Sequence, residues 1–326
     1  MRNTGKSDQN QVLRSMEPMY IHENFDVTSD LMLRIHQNHD EKSGASLGIR
    51  RKRTLIAILC TMVLLSSITV YASSKFIQIK NKEGKIIITS IAQQTDTYVD
   101  YYVKLLSKYE TELKKKLKPG ERVAYYIKDK EIQAAETLNP LYFLYVPHQH
   151  PNYADFAEEM KAIETPQILE PTYMPEGYSF KTGNIQAMPE PFVHTPEYEQ
   201  LLGELRDLAE KSTDNQALFY KIIPWSKGSS SMIQYRKGER LISINAYAKS
   251  TNSTVQVPAG NAEKLTVNGT EMLLTSPERN AGKPSYGRRL TWLDDSGLVL
   301  YTIMDDPQDP LSNEEFAKIA AGMMWK

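Results

Sequence analysis

The sharpest pattern in the chain is an uncharged run. Between Arg53 and Lys75 the sequence TLIAILCTMVLLSSITVYASS carries no charge, and Leu, Ile and Val fill nine of its positions. A helix of about 20 residues rises about 30 Å, the thickness of a bilayer's hydrocarbon core. Backbone groups in hydrocarbon must bond to one another, so the run predicts a transmembrane helix over 54–74. A buried helix of a globular domain normally keeps a polar stripe at helical period, and none is visible here.

Arg50, Arg51, Lys52 and Arg53 abut this span on its N-terminal side. Clustered Lys and Arg favour the cytoplasm, which predicts an N-inside orientation. Lys75, Lys80, Lys82 and Lys85 follow on the far side, so the density of the basic block, not the count, sets the direction. The region before the span is too long for the n-region of a cleaved signal peptide. Cys60 does not suit a lipoprotein either, because Leu59 before it is large and apolar residues continue past it.

The span divides the pattern into a small inner part and a large outer one. Residues 1–24 are polar and of mixed charge, which predicts little ordered structure. Thr28 or Ser29 can cap a short helix, and Val27, Leu31 and Ile35 recur at i, i+4, i+8 with Met32 beside them. This predicts a short amphipathic helix in a cytoplasmic tail over 1–53. Three to four turns are marginal alone, so Val27, Leu31, Met32 and Ile35 form the candidate partner-binding face. A helix lying on the membrane lipid, or a frayed spacer, is the plainer alternative.

Beyond the span, Phe76 to Lys80 and Lys85 to Thr89 predict two strands joined by a turn at Gly84. Asp96 to Leu117 predicts a helix with Tyr98, Tyr102, Leu105, Leu106, Tyr109, Leu113 and Leu117 on one face, stopped by Pro119-Gly120. With a strand over Arg122 to Ile127, these pieces outline a membrane-proximal unit over 75–150. A Pro-punctuated stretch, 147–175, leads to a distal unit over 166–326. There a turn at Met174 to Tyr178 leads into a strand, and Tyr198 to Lys211 predicts a helix. Strands follow over Met232 to Tyr235, Leu241 to Tyr247 and Glu271 to Thr275. Leu290 to Leu293 and Leu298 to Ile303 flank an Asp-Asp-Ser-Gly hairpin turn. Ser312 and Glu315 have capping-box spacing, and Leu311 and Phe316 suit a hydrophobic staple before the last helix. The expected fold class is α+β: a single transmembrane helix, then an exported region of antiparallel sheet with packed helices.

Composition adds bounds. The chain has 326 residues and a net charge of −1, which gives no electrostatic case for nucleic acid as a partner. Its single cysteine, Cys60, lies in the predicted span, so the exported region forms no disulfide of its own and relies on a packed core.

Four segments in order, PTYMPEGYSF (171–180), LTVNGTEMLL (265–274), LTWLDDSGLVLYTI (290–303) and LSNEEFAKIAAGM (311–323), resemble a known family. It is an exported domain-of-unknown-function family at the C-terminus of single-pass membrane proteins in endospore-forming Gram-positive bacteria. Some of its proteins are labelled anti-sigma factors, or sporulation or envelope-stress regulators. FDVTSDLMLRI (25–35) is similar to the short cytoplasmic segment before the anchor in such regulators. The resemblance implies an exported sensory or binding domain with a ligand of its own, and a sigma factor held by the tail. It brings no catalytic residues, and the His-and-Cys-pair signature of zinc-type anti-sigma factors is absent.

Chemistry-bearing motifs are few. His148-Gln149-His150 lies between two prolines with Asp155 and Glu158 nearby. A zinc site needs three or four ligands, so an ordinary loop is the expectation and no metal or other cofactor is assigned. Asp305, Asp306 and Asp309 lack the Gly and distal Glu of a calcium loop, and a turn into the last helix is expected. LYFLY (141–145) reads as a buried strand in preference to a ligand groove. No phosphate-binding glycine loop, Gly-x-Ser-x-Gly elbow or His-Glu-x-x-His is present, so no enzymatic activity is expected. The expectation is a membrane regulatory protein of the anti-sigma type. Its alternative is an envelope-associated binding or structural module without a signalling role.

Overall fold

From Ile242 to Ala246 the residues alternate Ile, Ser, Ile, Asn, Ala, and this two-residue period builds the centre of the largest sheet. The computed structural model describes residues 71–74, 76–92, 97–135, 140–213, 216–250, 253–278 and 285–324, all within one unit, Ile68–Lys326. In chain order the first strands are β1 (Tyr71–Ser74), β2 (Gln78–Lys80), β3 (Ile86–Ala92), β4 (Arg122–Ile127) and β5 (Leu141–Tyr145). Next come β6 (Ser179–Ala187), β7 (Leu218–Ile223), β8 (Gly228–Lys237) and β9 (Arg240–Ala248). The last are β10 (Val255–Ala259), β11 (Asn261–Val267), β12 (Thr270–Ser276), β13 (Arg289–Leu293) and β14 (Val299–Met304). The helices are α1 (Thr97–Lys114), α2 (Lys130–Ala135), α3 (Tyr153–Ala162), α4 (Pro196–Lys211) and α5 (Asn313–Met323).

The fold is mixed α and β with largely antiparallel sheets, as the alternation predicts. The main sheet has eight strands in the order β1-β11-β12-β13-β14-β9-β8-β6, every neighbouring pair antiparallel. Ile233, Ile242, Ile244, Leu265, Met272, Leu274, Leu290 and Ile303 share one core with Phe156 and Met160 of α3 and Phe316, Ile319 and Met323 of α5. Each such side chain contributes about 1.5–3 kcal/mol when fully buried. The intervening positions carry the buried polar set Gln234, Ser243, Asn245, Thr275, Thr291 and Thr302.

The end of the last helix's lead-in matches its sequence signature. Ser312 Oγ accepts from Glu315 N at 3.2 Å while Ser312 N donates to Glu315 Oε2 at 2.7 Å, and Leu311 and Phe316 both enter the core. Just before it, Asp305 accepts from Leu311 N at 2.9 Å and from Arg288 N, so the aspartates serve the turn.

A second sheet, β5-β4-β7, lies between helices. Alternation along β4 sends Val123, Tyr125 and Ile127 to a cluster with Leu106, Tyr109 and Leu113 of α1 and Ile132 of α2. Ala124 faces Tyr198, Leu201, Leu202, Leu205 and Ala209 of α4 in another cluster. A third sheet, β10-β3-β2, holds the parallel pair β10–β3 and the antiparallel pair β2–β3. Arg289 Nη2 donates to Pro258 O at 3.2 Å, linking β13 of the main sheet to β10.

Three features differ from the sequence expectations. The predicted span reaches Ser74, but the backbone of Tyr71–Ser74 pairs with β11, so a span ends no later than Val70. The remaining stretch, 54–70, lies outside the described residues, and at about 17 residues it sits at the short limit for a membrane helix. Among the described residues no helix is long and apolar enough to cross a membrane. Second, the pairings cross the expected division at 150–166: β7 completes the sheet of β4 and β5, β10 joins β3, and β11 joins β1. Third, the Pro-punctuated stretch contains α3. Asn152 caps it by accepting from Asp155 N at 2.9 Å, and Phe156 and Met160, one turn apart, enter the main core. Gly183 of β6 allows this, since a Cβ there would meet the Phe156 ring at 2.5 Å.

Candidate binding site

Arg122 opens β4, in register with Tyr145 of β5 and Ile223 of β7. The two-residue period turns its side chain to the α4 side of the sheet, where it stacks over the Phe143 ring at 4.9 Å. Its Nη2 donates to the carbonyl of Glu190, and it is only 4% exposed. No ion pair reaches it among the described residues. Burial pulls its pKa down to about 10, opposed by the Glu190 charge, so it stays a cation at neutral pH.

Around this guanidinium is a pocket of about 680 Å³. Its walls come from the loop before α4 (Met188, Glu190, Pro191, Phe192, Thr195), from α4 (Glu197, Gln200, Leu201, Glu204) and from the end of β7 and the segment after it (Lys221, Ile223 to Lys227). Met188 N bonds Lys227 O at 2.8 Å, which joins two of these segments. Thr195 ends the loop by bonding Phe192 O through both its N, at 3.1 Å, and its hydroxyl, at 2.8 Å. The same hydroxyl oxygen caps α4 by accepting from Tyr198 N at 3.3 Å. This arrangement leaves Phe192 54% exposed at the pocket.

Trp225 forms another wall. Its indole donates to Gly120 O at 2.9 Å, and its ring meets Tyr145 edge-on at 4.7 Å. On the rim, Lys221 bonds Glu204 at 2.6 Å, and this contact, with Gln200, holds the Glu204 carboxyl below the usual carboxylate range.

The sequence-predicted candidates lie elsewhere. Val27, Leu31, Met32 and Ile35 fall outside the described residues. His148 and His150 are brought together on one carboxylate, but it is Glu159 of α3, not Asp155 or Glu158. His148 Nδ1 lies 2.9 Å from Glu159 Oε1, and His150 Nε2 lies 2.6 Å from Oε2. Asp155 instead belongs to the α3 cap. Among the described residues no group of three His, Cys, Asp or Glu side chains is arranged to hold a metal. The histidine loop still touches the pocket's support, because His148 covers Gly120, the acceptor of the Trp225 indole; a Cβ on Gly120 would meet the imidazole at 2.6 Å.

LYFLY is β5, and its Phe143 and Tyr145 back Arg122 and Trp225. Arg122 is the residue that sequence reasoning missed: an arginine at a strand start is ordinarily solvated, and its burial depends on loop 188–195. Compared with protein-family models, curated proteins and solved structures, the chain matches none.

Proposed function

We propose that this protein is a single-pass membrane regulator, with its N-terminus in the cytoplasm and a ligand-binding α+β region outside. The observation that carries this reading is the uncharged run after Arg53, which leads directly into β1 of the folded unit. The pocket beside Arg122 supplies the outer region with a place to bind, and its lining holds no His or Cys to pair with a hydroxyl for catalysis.

The tail is the effector end. Its segment 25–35 is similar to the pre-anchor segment of anti-sigma regulators, and Val27, Leu31, Met32 and Ile35 supply the face that holds a sigma factor. Full-length protein is expected to co-purify with a sigma factor, and Leu31→Asp with Ile35→Asp to lose it. A reporter fused after Lys326 that is active only in the cytosol, or release of the protein from vesicles by carbonate, would overturn the reading. The pocket itself favours a second reading, an envelope-associated binding module in which the tail has no effector role. That reading expects deletion of residues 2–45 to leave the phenotype unchanged.

A further inference from the structure

We propose that the Arg122 pocket binds a ligand that presents one carboxylate next to a flat apolar group. The inference deepens the ligand-binding reading above and rests on it only for the site's purpose, not for its chemistry.

A guanidinium has five N–H donors, and Arg122 spends one on the Glu190 carbonyl. Isolated charge in a desolvated position is costly, and proteins normally offset it with a counter-charge. Here the described residues supply the Glu190 carbonyl, the Glu190 charge without a closed ion pair and an aromatic face, and Arg122 lines the pocket. A planar fork suits two parallel bonds to a carboxylate.

The rest of the lining restricts what carries that carboxylate. Phe192, Pro191, Trp225, Ile223 and Leu201 offer apolar and aromatic surface, which suits a ring or a branched side chain. The volume of about 680 Å³ falls in the ordinary range for small-ligand sites, about 300–1,000 Å³. The charged lining balances, Arg122, Lys221 and Lys227 against Glu190, Glu197 and Glu204, and one of those pairs is already closed by the Lys221–Glu204 bond. A dianion such as phosphate meets two further carboxylates there, whereas a single carboxylate needs only the buried guanidinium. The source is a free small acid or the end of a peptide, which share this chemistry.

The test is calorimetric titration of the full-length protein in detergent, with tryptophan fluorescence as a second readout. Four probes suffice: 3-phenylpropionate, its uncharged amide, an acetylated tripeptide ending in a free phenylalanine carboxylate, and inorganic phosphate. Saturable one-site binding of a carboxylate probe is expected, with the amide weaker by about tenfold to a hundredfold, the loss of a charge-assisted bond. Preference for phenylpropionate or for the tripeptide identifies the source. Arg122→Met is expected to remove the acid-over-amide preference, and Arg122→Lys to retain only part of it. Phe192→Ala, at an exposed position that leaves the core intact, is expected to weaken every apolar probe.

Equal affinity for acid and amide overturns the proposal, as does tighter binding of phosphate, or no saturable binding of either carboxylate by folded protein. If Arg122→Met fails to fold, the wild-type acid-to-amide ratio and Phe192→Ala still decide. Orientation in the membrane does not enter these titrations. Their failure leaves the topology reading standing, and a cytosolic C-terminal reporter leaves the binding result standing.

Discussion

The eight-stranded sheet and the three-stranded sheet treat buried charge in opposite ways. Beside the large sheet, Asp305 is 2% exposed and accepts from two backbone amides, while Arg288 donates to Asn313 Oδ1 at 2.8 Å and to Leu311 O. The Asp305 carboxylate and the Arg288 guanidinium both have partners in that corner, and the outcome is a fixed turn into α5. Beside the small sheet, Arg122 is 4% exposed, donates to one carbonyl and lines the pocket. A closed polar circuit serves folding, and an open one at a pocket serves recognition. On the proposed reading, the large sheet is the scaffold and the small sheet carries the binding site.

The largest test of this contrast is Phe316→Ala. Phe316 is fully buried between α5 and the main sheet, and truncation is expected to cost about 3–5 kcal/mol in denaturant unfolding. A loss under about 1 kcal/mol would show a loosely packed scaffold and end the contrast.

Next is the pH response of Asp305. Burial pushes its pKa up to about 6 from 3.8, against the amides of Arg288 and Leu311 and the Arg288 charge, which lower it. The native state then holds the proton longer than the unfolded chain, so stability is highest below about pH 4 and falls as pH rises towards 6. Two units at about 1.4 kcal/mol each amount to about 3 kcal/mol. Unfolding at pH 4 and pH 7 is expected to show wild type losing about that much more than Asp305→Asn. Parallel profiles would mean that the two amides and the Arg288 charge offset the burial of the carboxylate in full.

Ser312→Ala removes one half of the capping box and is expected to lower stability by about 1 kcal/mol. The smallest effect on folding is expected at the open site: Arg122→Met leaves the melting temperature unchanged or raises it, because a desolvated charge is replaced by an apolar chain of similar length. A steep fall in melting temperature would assign Arg122 to the scaffold.

What the sequence made legible follows the range of the physics. Ser312 and Glu315 announce a helix start three residues apart, and Asp294 to Gly297 announce a hairpin, because both signals are local. The alternation from Leu241 to Tyr247 needs only neighbours. The β4–β7 pairing does not: Tyr125 finds Tyr220 through a register that no local pattern encodes. Helix α3 was hidden because Pro147, Pro151 and Pro166 surround it, although Asn152, Phe156 and Met160 carry a cap and an apolar repeat. The pocket was invisible for the same reason as the pairing. Arg122, Phe192 and Trp225 share a site only after α4 and β7 have docked on β4.

The parallel β10–β3 ladder has a consequence for synthesis. Ile88 has no partner there until Val255 exists, Ile127 waits for Leu218, and Tyr71 waits for Lys264. A polypeptide emerging N-terminus first can make the β2–β3 hairpin and the β4–β5 pair early, yet all three early pieces stay incomplete until the late strands arrive. Such distant closures are slow. Completion of all three sheets is thus deferred until the strands from β7 onward have been made, however early the first hairpin forms.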